Sequence, residues 1–317
     1  MVRRDISAGA MPTGLHITML LACAGFLGIV CIVNFSLRWT LWCNISDAPM
    51  LDACINIALT MASSVTAALA CSGMMRPEHL RRVVLMYGLF FVTLPTIMFF
   101  RDYLTANMLV VLSMYNIMHL HRQGMEKGHI FFASFFVVIA LWFVPSAAVF
   151  ILPVYLGILI FTPGDIRSWF IPLAGAGASY ILMITYDFVF LGGSDFLPDI
   201  SFKLFSMPYT EKVFKAESFY FYAVGLALAL AYAYIKYWNT AQSDTVPQKK
   251  MFLTVSSMLA AATLTAVLLP QYRYLTIFFS MPFAVVTTEF FAGSGGGKGI
   301  IRWYLIILAG FSLFFFK

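Results

Sequence analysis

The sequence predicts an all-α fold: a polytopic integral membrane helix bundle of about ten or eleven spans. Three observations predict it. Of 317 residues, 61% are hydrophobic and 17% aromatic, while only 11% are charged, which is far from a soluble globular profile. The charges fall in short clusters between apolar runs, most of them close to the ~20 residues that a membrane-crossing helix needs. Lys and Arg collect in alternate gaps, as they do in proteins oriented by the positive-inside rule. The chain reads as a single transmembrane helical domain over 1–317, because its longest polar gap, 192–217, is too short for a separate soluble one. The net charge of +6 is read through that distribution, so the lipid bilayer is the expected partner and nucleic acid is not.

The spans are justified in order. The first thirteen residues carry Arg3 and Arg4 and lead into 15–37. That run is too long for the apolar part of a signal peptide and lacks a small-residue cleavage site, so an uncleaved first span is expected. Spans follow at 51–72, 83–100 and 103–120, the last two separated by a turn holding Arg101 and Asp102. The runs 130–144 and 147–162, joined at Pro145-Ser146, are short for a layer of about 30 Å. They are expected either as a hairpin that dips in and returns or as two tilted spans. The span 169–191 contains the small-residue run Ala174 to Ser179, suited to close helix packing. The span 218–238 ends on Tyr234-Ile235-Lys236-Tyr237-Trp238, an interfacial anchor. Spans 251–269, 274–291 with Pro282 inside it, and 300–316 complete the set. The stretch from Gly293 to Gly299 lacks the spacing of a phosphate-binding loop and reads as a flexible linker.

With the N-terminus cytoplasmic, thirteen Lys and Arg residues, from Arg3 to Arg302, fall in inner gaps and seven, including Arg38, Arg101 and Arg273, in outer ones. Localisation in a bacterial inner membrane is expected, with 192–217 as the main outer loop. The five cysteines form no CxxC, and no His stands at metal-ligand spacing from them; four lie in apolar runs and read as small packing residues, and a disulfide between Cys43 and Cys54 near one membrane face is the alternative for those two.

Polar groups within a bilayer each require an account. On the inner side, His119 and His121 point to different helix faces and cannot share a metal from one helix. Glu289, near the inner end of its span, reads as hydrated. On the outer side, Arg101 and Arg273 lie at one membrane face. Their planar forks suit a diphosphate, although an arginine at a span end also snorkels to water or lipid phosphate. Asp102 shares the turn with Arg101. Asp187 sits among aromatic residues inside its span and either pairs with an arginine or acts as a catalytic or cation-binding carboxylate. Asp47 lies in the first outer loop, and Asp52 at a helix N-terminus, where a carboxylate is favourable.

The run Arg273-Tyr274-Leu275, followed by an apolar stretch with a proline, resembles a late span of the GT-C superfamily of membrane glycosyltransferases. The paired short helices around Pro145 and Pro153 are similar to another part of that scaffold. The resemblance implies an enzyme that uses a polyprenyl-phosphate-linked sugar to build envelope polysaccharide, usually with the help of a divalent cation. It implies catalytic carboxylates at Asp47 and Asp187, and substrate binding by Arg101, Asp102, Arg273 and Tyr274. Two departures stand against it: the first outer loop is short, and the large outer sugar-handling domain is absent. The chain also resembles a family of uncharacterised bacterial polytopic proteins sometimes labelled carotene monooxygenases, but it has only five His and no four-His iron constellation. A non-catalytic assembly scaffold, with polar groups paired among themselves and no cavity, is the second expectation. A secondary transporter comes last, because no internal repeat is visible.

Overall fold

The computed structural model describes residues 14–37, 49–121, 125–191, 216–241, 245–268, 273–292 and 298–315. Among them every regular element is helical and no strand occurs. Eleven α-helices run in chain order: α1 Gly14–Leu37, α2 Pro49–Ala70, α3 Pro77–Thr93, α4 Arg101–Met118, α5 Glu126–Phe143, α6 Ile151–Phe161, α7 Ile171–Tyr186, α8 Ala216–Ala241, α9 Val246–Leu268, α10 Ser280–Ala292 and α11 Lys298–Phe315.

By length and composition, three described helical stretches can cross a membrane: Met50–Ala70, Glu126–Phe143 and Ile166–Phe190. Leu21–Val33, Pro145–Phe161, Thr276–Ala292 and Ile301–Gly310 are shorter apolar helices. The expected spans shrink for identifiable reasons. Pro95 stops α3 at Thr93, because the ring clashes with a continuing helix. The expected span 274–291 divides into a 3₁₀ turn, Arg273–Phe279, and then α10. Pro282 therefore lies in the first turn of α10 and not in mid-helix; a missing N–H costs nothing there. α4 carries Arg101, Asp102, Asn107, Ser113 and Asn116, which lower its apolar content.

Contacts fix which helix ends lie together. At one end, Asp52 and Asn56 near the start of α2 meet Arg101 and Met98. At the opposite end, His119 closing α4 lies beside His129 opening α5, and His79 opening α3 meets Glu289 near the close of α10. Lys250 opening α9 lies over the ring of Phe161 closing α6. The stretch 145–161 therefore runs back alongside α5: Gly157 packs on Ile117 of α4, and Asp165 returns to the field of Lys127. This antiparallel arrangement is common to both expectations for 130–162. Among the described residues, ten Lys and Arg positions belong to the His119 end (Arg76, Arg81, Arg82, Lys127, Arg167, Lys236, Lys249, Lys250, Lys298 and Arg302), and Arg101 and Arg273 to the other.

α10 is the centre. From Ser280 to Thr288 every side chain is buried, as expected of a helix that is small or apolar on all faces. α3 packs on it through Phe90 and Phe283, with ring centroids 5.7 Å apart. Interhelical hydrogen bonds add direction. The Asn107 amide donates to the Tyr87 phenol oxygen at 2.7 Å, and Ser280 donates to the Asn107 carbonyl at 3.3 Å, so α3, α4 and α10 are tied at one level. Such bonds matter most where no water competes.

α5 and α7 approach closely because Gly175 has no side chain. A Cβ there would meet the Ser134 hydroxyl and the Phe131 carbonyl. Ser179 then donates to the Phe135 carbonyl at 3.3 Å, and Trp142 meets Tyr186 edge-on at 5.3 Å. Residue numbers rise together along both helices, so α5 and α7 run parallel.

Candidate functional site

The site is assembled from the break after α3. Pro95–Phe99 forms a 3₁₀ turn whose Ile97, Met98 and Phe99 are buried. The Asn56 amide donates to the Met98 carbonyl at 2.8 Å and pins the turn to α2. Phe100 is extended, with φ −108° and ψ 95°, and α4 starts at Arg101. The residue that reverses the chain is thus followed at once by a cation and then by Asp102; both are exposed.

A second break meets it. In the turn Arg273–Phe279, Ile277 and Phe278 are fully buried, and Phe278 packs on Phe150 at 4.8 Å. Tyr274 packs on Phe100 with tilted rings, centroids 3.8 Å apart, and lies 5.6 Å from Tyr103, which is itself 6.1 Å from Phe100. This aromatic triangle joins the two breaks, and each arginine is the chain neighbour of one of its rings. The structure thus brings Arg101, Asp102, Arg273 and Tyr274 to one corner.

Arg101 has an ion pair with Asp52, at 3.9 Å, and both side chains keep solvent access. An exposed pair at the edge of contact range contributes little, so the guanidinium keeps its capacity for a stronger anion. Asp52 is more than a favourable charge at a helix N-terminus, because its partner lies across the break. Asp187 opens a π-helical segment, Asp187–Leu191, that extends α7. Wider turns of this kind recur at functional sites. Asp187 lies at the same end as Trp142, on a helix that packs against α5. Asp47 lies outside the described residues.

The other end holds groups that sequence reasoning missed. Glu289, expected to be hydrated, lies 3.4 Å from His79 Nδ1, and both side chains are largely buried. The other His79 ring nitrogen faces Glu78 at 3.8 Å. The signal for this pair was Glu289 itself, a carboxylate in an apolar run that demands a partner. His119 Nδ1 lies 2.8 Å from the Tyr115 carbonyl and His129 Nδ1 lies 3.0 Å from Asn116 Oδ1; both acceptors require the ring nitrogen to donate. Beyond α6, Asp165 accepts from Ser168 at 2.7 Å and from the Arg167 amide at 3.1 Å. Those bonds, the Ser168 hydroxyl first, hold its carboxyl below the ordinary value. Among the described residues, no cluster of three or more His, Cys, Asp or Glu is placed to hold a metal ion.

α3, α8, α9 and α10 leave a cavity of about 540 Å³ between them. Phe90, Leu226, Leu230, Phe279 and Phe283 wall it. Thr276, three residues beyond Arg273, and Leu94 lie toward the Arg101 end; Tyr234 lies toward the other. Compared with protein-family models, with curated proteins and with solved structures, the chain matches none.

Proposed function

We propose that this chain is a polytopic protein of the bacterial inner membrane, GT-C-like in scaffold, that binds a polyprenyl-phosphate-linked sugar at the Arg101 end. One observation carries the reading: the packing of Tyr274 against Phe100, which joins the two helix breaks that carry Arg273 and Arg101. Two guanidinium forks at one point are suited to phosphate or diphosphate oxygens, each charge-assisted bond being worth about 1.5–3 kcal/mol. In the proposed transfer, Asp47 or Asp187 takes the proton of an acceptor hydroxyl as that oxygen bonds the sugar. The sugar–phosphate bond breaks with its electrons on the phosphate, and the arginines neutralise the charge that develops there. A divalent cation can share that task. The excess of cations at the His119 end supports placing that end, and with it the N-terminus, in the cytoplasm.

The test is binding of radiolabelled geranylgeranyl phosphate and diphosphate to the detergent-purified chain. Arg101→Ala and Arg273→Ala should each weaken binding ten- to a hundred-fold, the lysine variants less, because charge remains while the fork is lost. Tyr274→Ala should weaken it through misplacement of Arg273, and Tyr274→Phe should not. Unchanged affinity in both alanine variants would make the arginines ordinary interfacial anchors.

A non-catalytic scaffold is the second reading. The mutual pairing of polar groups favours it, above all His79 with Glu289 and Asn107 with Tyr87. The cavity weighs against it, since an assembly subunit needs none. Absence of saturable binding for either lipid would decide for the scaffold.

A further inference from the structure

We propose that the cavity between α3, α8, α9 and α10 holds the hydrocarbon tail of a single-chain lipid phosphate, entered sideways between α8 and α9, with the headgroup toward Arg101. The headgroup assignment rests on the proposed function; the tail assignment does not.

The lining is apolar apart from a few hydroxyls. The Thr263 hydroxyl already donates to the Leu259 carbonyl at 2.7 Å, and the Tyr234 hydroxyl to Ser256 at 3.1 Å. A cavity without open hydrogen-bonding groups favours hydrocarbon over water. Its mouth is identified by exposure. Val224, Ala227 and Ala231 of α8 and Thr263 of α9 line the cavity yet are exposed, while Leu226 and Leu230 behind them are buried. Around the mouth the surface stays apolar: Phe221 is 67% exposed and Leu228 63%. A lipid chain therefore enters from the layer without crossing a polar rim.

Size selects the occupant. At the ~30 Å³ that a water-sized group such as a methylene takes, about 540 Å³ accommodates one chain of roughly 18 carbons and not two. The lining of α8 extends from Ala223 to Tyr234, about 16 Å along the axis, so the space is long as well as narrow. Thr276 and Leu94 bring its upper end to the two breaks that carry Arg273 and Arg101. Among the described residues these are the two Lys or Arg positions at that end, and Arg101 is exposed, so the anionic head of such a lipid meets opposite charge where its chain leaves the cavity.

The experiment uses the full chain in detergent with three probes: geranylgeranyl phosphate, geranylgeraniol and dioleoyl phosphatidic acid. Saturable binding of geranylgeranyl phosphate is expected, at least ten-fold weaker for Ala223→Phe and for Ala231→Phe, with thermal stability retained. Geranylgeraniol should compete and phosphatidic acid should compete poorly. Undiminished binding in both filled variants, or phosphatidic acid binding as tightly as the single-chain lipid, would overturn the tail assignment. Arg101→Ala separates the two readings. If it leaves affinity unchanged while Ala223→Phe abolishes binding, the cavity stands and the headgroup site falls.

Discussion

The amide of Asn107 donates to the phenol oxygen of Tyr87 at 2.7 Å, joining α4 to α3 beneath the buried face of α10. Ser280 closes the link from α10, and neither Asn107 nor Tyr87 reaches solvent. Tyr87→Phe keeps the ring and its packing on Phe91 but removes the acceptor. In an apolar medium the expected loss is about 0.5–2 kcal/mol, because the freed amide finds at best a poorer partner. Asn107→Leu removes the donor to Tyr87 and also the acceptor of the Ser280 hydroxyl, and should cost more. Thermal unfolding in detergent checks both; a Tyr87→Phe protein as stable as wild type would show that the bond only orients the helices.

Two glycines two positions apart on α7 should respond in opposite ways. Gly175 faces the backbone of α5, so Gly175→Ala forces the helices apart, at about 1–3 kcal/mol. Gly177 has nothing within 4 Å of where a Cβ would be. Gly177→Ala should therefore be neutral or stabilise the helix by about 0.5–1 kcal/mol. The comparison is read from paired melting curves, and equal effects would contradict the parallel packing of α5 on α7.

Asp165 gives a pH dependence whose sign is fixed. Its carboxyl is held below the ordinary value of 3.8, first by the Ser168 hydroxyl, then by the Arg167 amide and the charges of Lys127 and Arg167. A group depressed in the folded state contributes stability above its unfolded value, and that contribution is lost as pH falls through the folded value. Wild type should therefore lose a small increment only in acid, below the ordinary value, and Asp165→Asn should lose none there. Melting temperatures of the pair between about pH 3 and about pH 6 decide it; a difference that grows toward neutral pH without shrinking in acid would contradict the assignment.

Orientation is open to a direct measurement. Gly164 is exposed in the turn after α6, at the cation-rich end. In a cysteine-free background, Gly164→Cys should resist a membrane-impermeant thiol reagent in intact cells and react after permeabilisation. Labelling of intact cells would invert the proposed topology.

The class of fold was legible because apolar runs and charge clusters are local properties. The centres of most helices lie where hydropathy places them, and their ends were misjudged where proline acts: at Pro95, which ends α3 early, and at Pro282, which starts a helix instead of interrupting one. The corner of Arg101 and Arg273 was legible in part, since topology alone puts both at one face. What no local pattern carries is the choice of partner. His79 and Glu289 are 210 positions apart, and Arg101 meets Asp52 across a break in the chain. His119 was set aside because His121 lies on another face of its helix; its neighbour is His129, on a different helix. Each of these pairings depends on which helices become neighbours, which periodicity does not encode.

The parallel alignment of α5 and α7 carries a consequence of parity. Two consecutive helices that pack side by side across a short connection lie antiparallel, so a parallel pair requires one more passage between them, which the stretch 145–161 supplies. That stretch opens with a 3₁₀ turn at Pro145, carries Pro153 in the first turn of α6, and contributes few polar groups of its own. Its service is to the count of reversals. Lose it, and α7, α8, α9, α10 and α11 all run the opposite way, with Glu289 carried away from His79 and Arg273 from Arg101. The most nondescript passage of the chain is thus the one on which every later address depends.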